Sequence, residues 1–277
     1  MSAPSLSVIV PVLDNRAGLG RTLRALAPQL SSRDDVEVIV VDDGSTDGSG
    51  DEAAAILSSV HHRIIRTANL GAAAARNRGA AAAQGRMIAF LDTNDEPRPG
   101  WVELFAADRP DDVGVIHARP WLEDPTLDTR HAHLLPGCFA IAHDLFDTVG
   151  GYDEALRFAE NTDLVERCHR IAGATGRTVT HHDVVILAVH DIRDPRHYDG
   201  RRAEAMSYLL RRDAATADGA TLERYARVGA VAAARSGRPR DARRMAAVAI
   251  GKRPWSIRNW ARMVLVGLAP LGRRRWR

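Results

Sequence analysis

VEVIVVDDGSTD, residues 36–47, decides the fold. Five of its first six residues are valine or isoleucine, and the run then stops at Asp42, Asp43, Gly44 and Ser45. A short unbroken β-branched run of this kind predicts a strand buried on both faces. The same pattern lies on either side. Leu6 to Val12 (LSVIVPV) predicts a first strand. Arg16 to Leu30 predicts a helix with Leu19, Leu23, Leu26 and Leu30 on one face. Asp51 to Val60 reads as a helix, Arg63 to Arg66 as a third strand, and Ala72 to Ala83 as an alanine-rich helix. Met87 to Leu91 (MIAFL) is a fourth strand, ending in Asp92-Thr93-Asn94-Asp95. Strand and helix in short alternation predict an α/β fold, a mostly parallel Rossmann-like sheet with helices on both faces.

Residues 101–189 are less regular. They suggest a helix after Pro99, a strand near Val113 to Ala118, a Gly150-Gly151 turn, a helix from Thr162 to Ala172 and a strand at Val184 to Val189. Beyond Pro195 the composition turns to Ala, Arg and Leu without strand signals. Three or four helices are expected there, broken near Asp218-Gly219, Gly237 to Pro239 and Pro254. The expected division is a domain over 1–195 and a helical region over 196–277. Thr221 to Ile250 resembles a single helix-turn-helix unit of the tetratricopeptide type.

Composition sets limits. The 277 residues are 45% hydrophobic and 26% charged, enough for a core that needs neither metal nor disulfide. Cys138 and Cys168 form no framework and read as free thiols in a reducing compartment. The net charge is +3, and Lys252 is the single lysine among 38 basic residues. That bias, with the alanine runs, reads as a GC-rich genome, so the arginines do not argue for a nucleic-acid partner. No leader segment is apparent, and no run approaches the roughly 18–20 apolar residues of a membrane span. A cytoplasmic protein is expected.

Two acidic strand ends carry the chemistry. Ligands of an open parallel sheet gather at the carboxyl ends of its strands. The strands ending in DDGSTD and DTND are expected to be neighbours in a doubly wound sheet, which puts their carboxylates around one crevice. Such carboxylates repel unless a cation stands between them, and Mg²⁺ or Mn²⁺ bridging a substrate diphosphate answers that need.

PVLDN, VVDDGSTD, NLGAAAARNRG and FLDTND, in that order and spacing, resemble the nucleotide-binding half of family-2 glycosyltransferases of the GT-A fold. GGYDEALRFAENTDLVER, from Gly150, resembles that family's acceptor-side motif, so the likeness spans about residues 6–190. It implies inverting transfer of a sugar from a nucleoside diphosphate sugar, UDP or dTDP more often than GDP. The acceptor hydroxyl would belong to a glycan, a lipid carrier or a small molecule. The implied nucleotide-sugar site draws on Pro11, Asp14, Asp42, Asp43, Asn69, Gly71, Arg76, Asp92, Thr93 and Asn94. Asp43 would accept a hydrogen bond from the base, with Asp14 in the same pocket. Asp92, Asn94, Asp95 and His190 would serve a divalent cation, and Glu160 or Asp163 the acceptor's proton.

Two positions depart from the family pattern. Asn94 replaces the second aspartate of the metal motif, and Asn161 the carboxylate most often cast as base. A nucleotide-sugar-binding protein without transfer activity is therefore the alternative reading. A nucleotidyltransferase ranks last, since PVLDNRAGLG is a poor glycine-rich loop. Plainer readings stand beside the functional ones: Asp42, Asp43 and Ser45 as strand-end and capping residues, Arg76 in a surface ion pair, Asp163 as a first-turn acid. His61-His62 and His181-His182 read as solvated loop residues rather than metal ligands. At the C-terminus, Trp255, Ile257, Trp260, Met263, Val264 and Leu268 interleave with Arg258 and Arg262, before Arg273, Arg274, Arg275 and Arg277. This suits either an anionic membrane surface, giving a peripheral place on the inner face, or a helix packed on the protein with a solvated tail.

Overall fold

The computed structural model describes residues 4–122, 134–189, 199–254, 256, 257 and 259. By contacts the chain falls into two compact units, Met1–Glu154 with Glu160–Ile192 and Ala155–Ala159 with Arg193–Arg277.

The first unit is built on an eight-stranded sheet. Four strands form its parallel half: β1 (Leu6–Val12), β2 (Val36–Asp42), β3 (His62–Arg66) and β4 (Met87–Phe90). Their order is β3-β2-β1-β4. The two acidic strands are therefore not neighbours. β1 runs between them, and DDGSTD and DTND flank its end from opposite sides. Every residue of β2 and β4 is buried, as the unbroken apolar runs required.

Helices α1 (Arg16–Leu26), α2 (Ser49–Ile56) and α3 (Ala72–Ala82) connect these strands. Leu19, Leu23 and Leu26 are fully buried, but α1 stops four residues earlier than the leucine spacing suggests. Pro28 has no N–H to continue it, and residues 27–30 tighten into a 3₁₀ turn that still buries Leu30. α3 lies close on β1 because residue 79 is glycine. A methyl group there would meet Ile9 Cγ2 at 2.5 Å.

The second half of the sheet is mixed, while the sheet as a whole stays mostly parallel as expected. β7 (Phe139–Ala142) runs antiparallel to β4, and β6 (Val113–Leu122) antiparallel to β7. β8 (Thr178–Val189) pairs parallel with β6, and β5 (Asp95–Pro97) antiparallel with β8 at the edge. β5, β7 and the short helix α5 (His143–Thr148) have no clear sequence signal, being three to six residues long. α4 (Trp101–Ala106) and α6 (Glu160–Thr175) complete the unit. His181 and His182 lie on β8, not in a loop. His181 stacks on the His117 ring at 4.8 Å, and the His117 and His169 Nε2 atoms are 2.7 Å apart.

The second unit holds α7 (Asp199–Arg212), α8 (Gly219–Arg235) and α9 (Pro239–Lys252). Its breaks fall at the glycines and prolines expected, with Asp218 capping α8 through the Thr221 N–H at 2.7 Å. The basic tail beyond Asn259, with Trp255 and Arg258, lies outside the described residues. Among the described residues, no helix is long and apolar enough to cross a membrane. Both cysteines are buried and free, and burial pushes their thiols up, Cys168 to about 12.

Candidate active site

The ends of β1 and β2 build a loop cage out of carboxylates. Asp42 accepts the Ser45 N–H at 2.8 Å, turning the chain at once after the strand. Asp43 is 3% exposed and accepts three bonds. They come from Thr67 Oγ1 at 2.6 Å, the Leu70 N–H at 2.8 Å and the Gly71 N–H at 2.7 Å. It thus fixes the segment that brings Asn69 and Gly71 alongside. Both need left-handed backbone, with φ of 53° and 98°. Asp14, also left-handed at φ 46°, accepts the Thr46 N–H at 2.8 Å and donates its own N–H to Ser45 Oγ at 3.0 Å. Pro11 lies half-buried on β1 opposite Val41. A cavity of about 300 Å³ opens here, lined by Asp42, Ser45, Thr46, Gly48, Arg66 and Thr67.

Across β1, the β4 end is arranged differently. Asp92 is partly exposed, and the Asp95 carboxylate sits behind it, accepting the Asp92 N–H at 3.4 Å. Burial, and then the charge of Asp92, raise Asp95 well above the usual carboxylate range. Asn94 sits between them with φ 85°. Thr93 Oγ1 accepts from Asn15 Nδ2 at 2.8 Å, while Asn15 Oδ1 caps α1 through the Gly18 N–H. Asn15 therefore ties the β1 loop to the β4 loop.

Arg76, on α3, joins this end to the start of α6. Its NH2 group pairs with Asp92 Oδ1 at 2.6 Å and its NH1 group with Glu160 Oε1 at 3.4 Å. The guanidinium carbon stands 5.3 Å from the centre of the Tyr152 ring. Only 3% of Arg76 is exposed, so the pair is internal rather than a surface one. Burial works against its charge, but Asp92, Tyr152 and Glu160 outweigh that, and its pKa lies above the ordinary arginine value.

Tyr152 and Asn77 hold the acceptor-side motif in place. Asn77 donates to the Tyr152 carbonyl at 2.9 Å and accepts the Tyr152 N–H at 2.8 Å, pinning the Gly150-Gly151 turn to α3. The Tyr152 ring stands edge-on to Phe90, with centroids 5.1 Å apart. Its hydroxyl, kept protonated by burial, donates to Asn161 Oδ1 at 3.0 Å. The residue pattern points to none of Asn77, Tyr152 and Asn15. All three lie inside the family motifs, and only the fold shows what each of them holds.

The two candidate bases part company. Glu160 opens α6 with its side chain 19% exposed. Asp163 is 2% exposed and accepts from Arg167 Nε at 2.9 Å, while Arg167 NH1 donates to the Val149 carbonyl. Asp163 is therefore the more buried of the two, with one oxygen engaged by Arg167, and Glu160 the more exposed.

The cation expectation meets a mixed donor set. Among the described residues, no group of three or more His, Cys, Asp and Glu side chains is arranged to hold a metal by itself. His190 lies outside the described residues. Mg²⁺ and Mn²⁺, however, take one or two protein carboxylates and complete their shell with water and substrate phosphate. Asp92, Asp95 and the Asn94 amide oxygen fit the protein's share of such a site.

Known proteins share sequence and fold with this chain. The validoxylamine A glucosyltransferase of Streptomyces hygroscopicus subsp. jinggangensis is 39% identical over 106 residues, covering 38% of this chain and 25% of that protein. The chain thus spans about a quarter of the length of this curated relative. The crystal structure of S. aureus TarS 1–349 superposes with a TM-score of 0.64 at 17% identity, covering 96% of this chain and 87% of that one. The mannosyltransferase PcManGT from Pyrobaculum calidifontis, solved with GDP-Man and Mn²⁺, gives 0.59 at 17% identity over 98% and 82%. The family model for Glycosyl transferase family 2 matches residues 7–164, more than half of the sequence, and the chain belongs to that family.

Proposed function

We propose that this chain transfers a sugar, with inversion, from a nucleoside diphosphate sugar to an acceptor hydroxyl. The observation that carries the reading is Arg76, which draws the metal-side Asp92 and the base-side Glu160 to one internal cation. Few structural needs explain a buried guanidinium placed between two motifs that lie far apart in sequence.

The caged loops around Asp43, Asp14, Asn69 and Gly71 would seat the base and ribose, and Thr93 and Asn94 the ribose and diphosphate. A Mn²⁺ or Mg²⁺ ion on Asp92, Asn94 and Asp95 would neutralise charge on the departing diphosphate. The acceptor oxygen attacks the anomeric carbon as the bond to the diphosphate oxygen breaks, and Glu160 takes the acceptor's proton. UDP or dTDP is favoured as the nucleotide, and a glycan, lipid carrier or small molecule as acceptor. The basic tail over residues 255–277 supports peripheral placement at an anionic membrane if that acceptor is lipid-linked.

A second reading is non-catalytic binding of a nucleotide sugar, favoured by the amide Asn161 where the family carries a carboxylate. Release of the nucleoside diphosphate from a panel of UDP- and dTDP-sugars, with Mn²⁺ and with mixed acceptors, separates the two. Turnover that Glu160→Gln lowers at least about 100-fold supports the transferase. UDP binding with no release from any donor supports the binding protein.

A further inference from the structure

We propose that Arg76 is an internal counter-ion that keeps a divalent cation off Asp92 until a diphosphate enters, so that metal and nucleotide bind as a pair. This rests on the reading of Asp92, Asn94 and Asp95 as the cation side of a donor site.

Two observations carry it. First, the Asp92 oxygen nearest Arg76 is already engaged at 2.6 Å, by a side chain only 3% exposed. A buried guanidinium cannot swing into water at little cost, so it does not simply yield the oxygen to a metal. An incoming divalent ion would meet a full positive charge held in low dielectric, directly beside its main ligand. Second, the Arg76 Nε is buried and has no hydrogen-bond partner. A donor of this kind costs free energy until an acceptor arrives, and a phosphate oxygen is a suitable acceptor for a guanidinium edge.

A diphosphate reverses each term. Its negative charges let Arg76 and a divalent ion share one neighbourhood. It offers the unpartnered Nε an acceptor, and it supplies the ligands that the neutral amide of Asn94 leaves wanting. When the cation takes the Asp92 oxygen, Arg76 keeps Glu160 as a carboxylate partner, so the buried charge is not left alone. Linkage requires that UDP tighten Mn²⁺ binding by the same factor as Mn²⁺ tightens UDP binding.

Free Mn²⁺, followed by its paramagnetic resonance signal during titration of the full chain, reads this without any turnover. The wild-type protein should bind Mn²⁺ weakly alone and at least about 100-fold more tightly with saturating UDP. Arg76→Gln should bind Mn²⁺ alone at least about 10-fold more tightly than wild type and lose most of the UDP dependence. Arg76→Lys, which keeps a charge, should stay close to wild type for Mn²⁺ alone. Thermal melts select the variants that are folded.

Wild-type Mn²⁺ binding that ignores UDP overturns the proposal without any variant. So does a folded Arg76→Gln protein that binds Mn²⁺ no better than wild type. If UDP itself fails to bind, the donor-site reading falls first, and titration of UDP alone shows it. If the Mn²⁺ coupling is seen but no sugar is ever transferred, the transferase reading fails and the role of Arg76 stands.

Discussion

The two acidic strand ends look alike in sequence and do opposite work. At the end of β2, Asp42 and Asp43 spend their lone pairs on backbone N–H groups and a threonine hydroxyl, and in doing so they build the loops. At the end of β4, Asp92 and Asp95 face each other and an arginine. One of them bears a raised pKa, because burial and its neighbour's charge outweigh the arginine. Carboxylates that accept backbone N–H groups are architecture. Carboxylates left in mutual repulsion keep free energy in reserve for a ligand. The DDGSTD end therefore shapes the loops, and under the proposed function the DTND end is where the charge of cation and diphosphate would arrive.

The comparison can be broken most severely at Asp43. Asp43→Ala removes an acceptor from three buried donors, so nucleotide affinity and stability should fall together. About 3 kcal/mol of stability is at stake, a drop of roughly 6–12 °C in melting temperature. Calorimetry with and without UDP checks it. A variant that loses UDP binding but melts like wild type would make Asp43 a ligand contact rather than a loop builder. Asp92→Asn takes one carboxylate from the buried Arg76, which keeps Glu160, so its melting temperature should fall less than that of Asp43→Ala. UDP affinity should then lose its dependence on Mn²⁺, read by titration with and without the ion. A large loss of stability with intact metal dependence would erase the contrast between the two ends.

The sequence disclosed the two ends unequally. β1, β2 and β4 are continuous apolar runs, and their burial on both faces is what such runs mean. The family motifs, by their order and spacing, locate both acidic loops, Arg76 and Glu160 along the chain. What stayed hidden depends on spatial order. Nothing in Val36–Asp42 or Met87–Phe90 says that β1 lies between them, since strand order is set by crossover topology rather than by local pattern. Asp163 and Glu160 are three residues apart at the start of one helix, and only packing decides that the first is sealed under Arg167. β5 and β7, at three and four residues, are too short for periodicity to speak.

A subtler test turns on the raised acid. Asp95 has a folded-state pKa above its unfolded value. As an acid it therefore costs stability once the pH rises from the unfolded value through the folded one. Asp95→Asn removes that cost and should raise the melting temperature at pH 7.5, by about 2–4 °C for each kcal/mol recovered. At pH 4 the gain should shrink, because the wild-type carboxyl is protonated there too. A loss of stability at pH 7.5 would show that the hydrogen bonds of Asp95 favour its charged form.

The smallest effect should come from Asp35, an acid that neither builds a loop nor waits for a ligand. It lies just ahead of β2, bonded to Arg33 Nε at 2.7 Å and to the Ser5 hydroxyl at 2.6 Å. Arg33, and then Ser5, overcome the cost of burial and hold its carboxyl down at about 2. The sign is the reverse of Asp95. A depressed pKa contributes stability above the unfolded value near pH 4 that is lost as the pH falls toward 2. The side chain is 44% exposed, so solvent and salt screen the pair, leaving about 0.5–1 kcal/mol. Asp35→Asn should therefore melt roughly 1–4 °C below wild type at pH 6. That gap should close as the pH approaches 2, and 1 M NaCl should narrow it at pH 6. A gap that stays constant from pH 6 to pH 2 would assign the role of Asp35 to shape and hydrogen bonding rather than charge. It would then belong with Asp42 and Asp43 among the carboxylates that the β2 segment uses as building material.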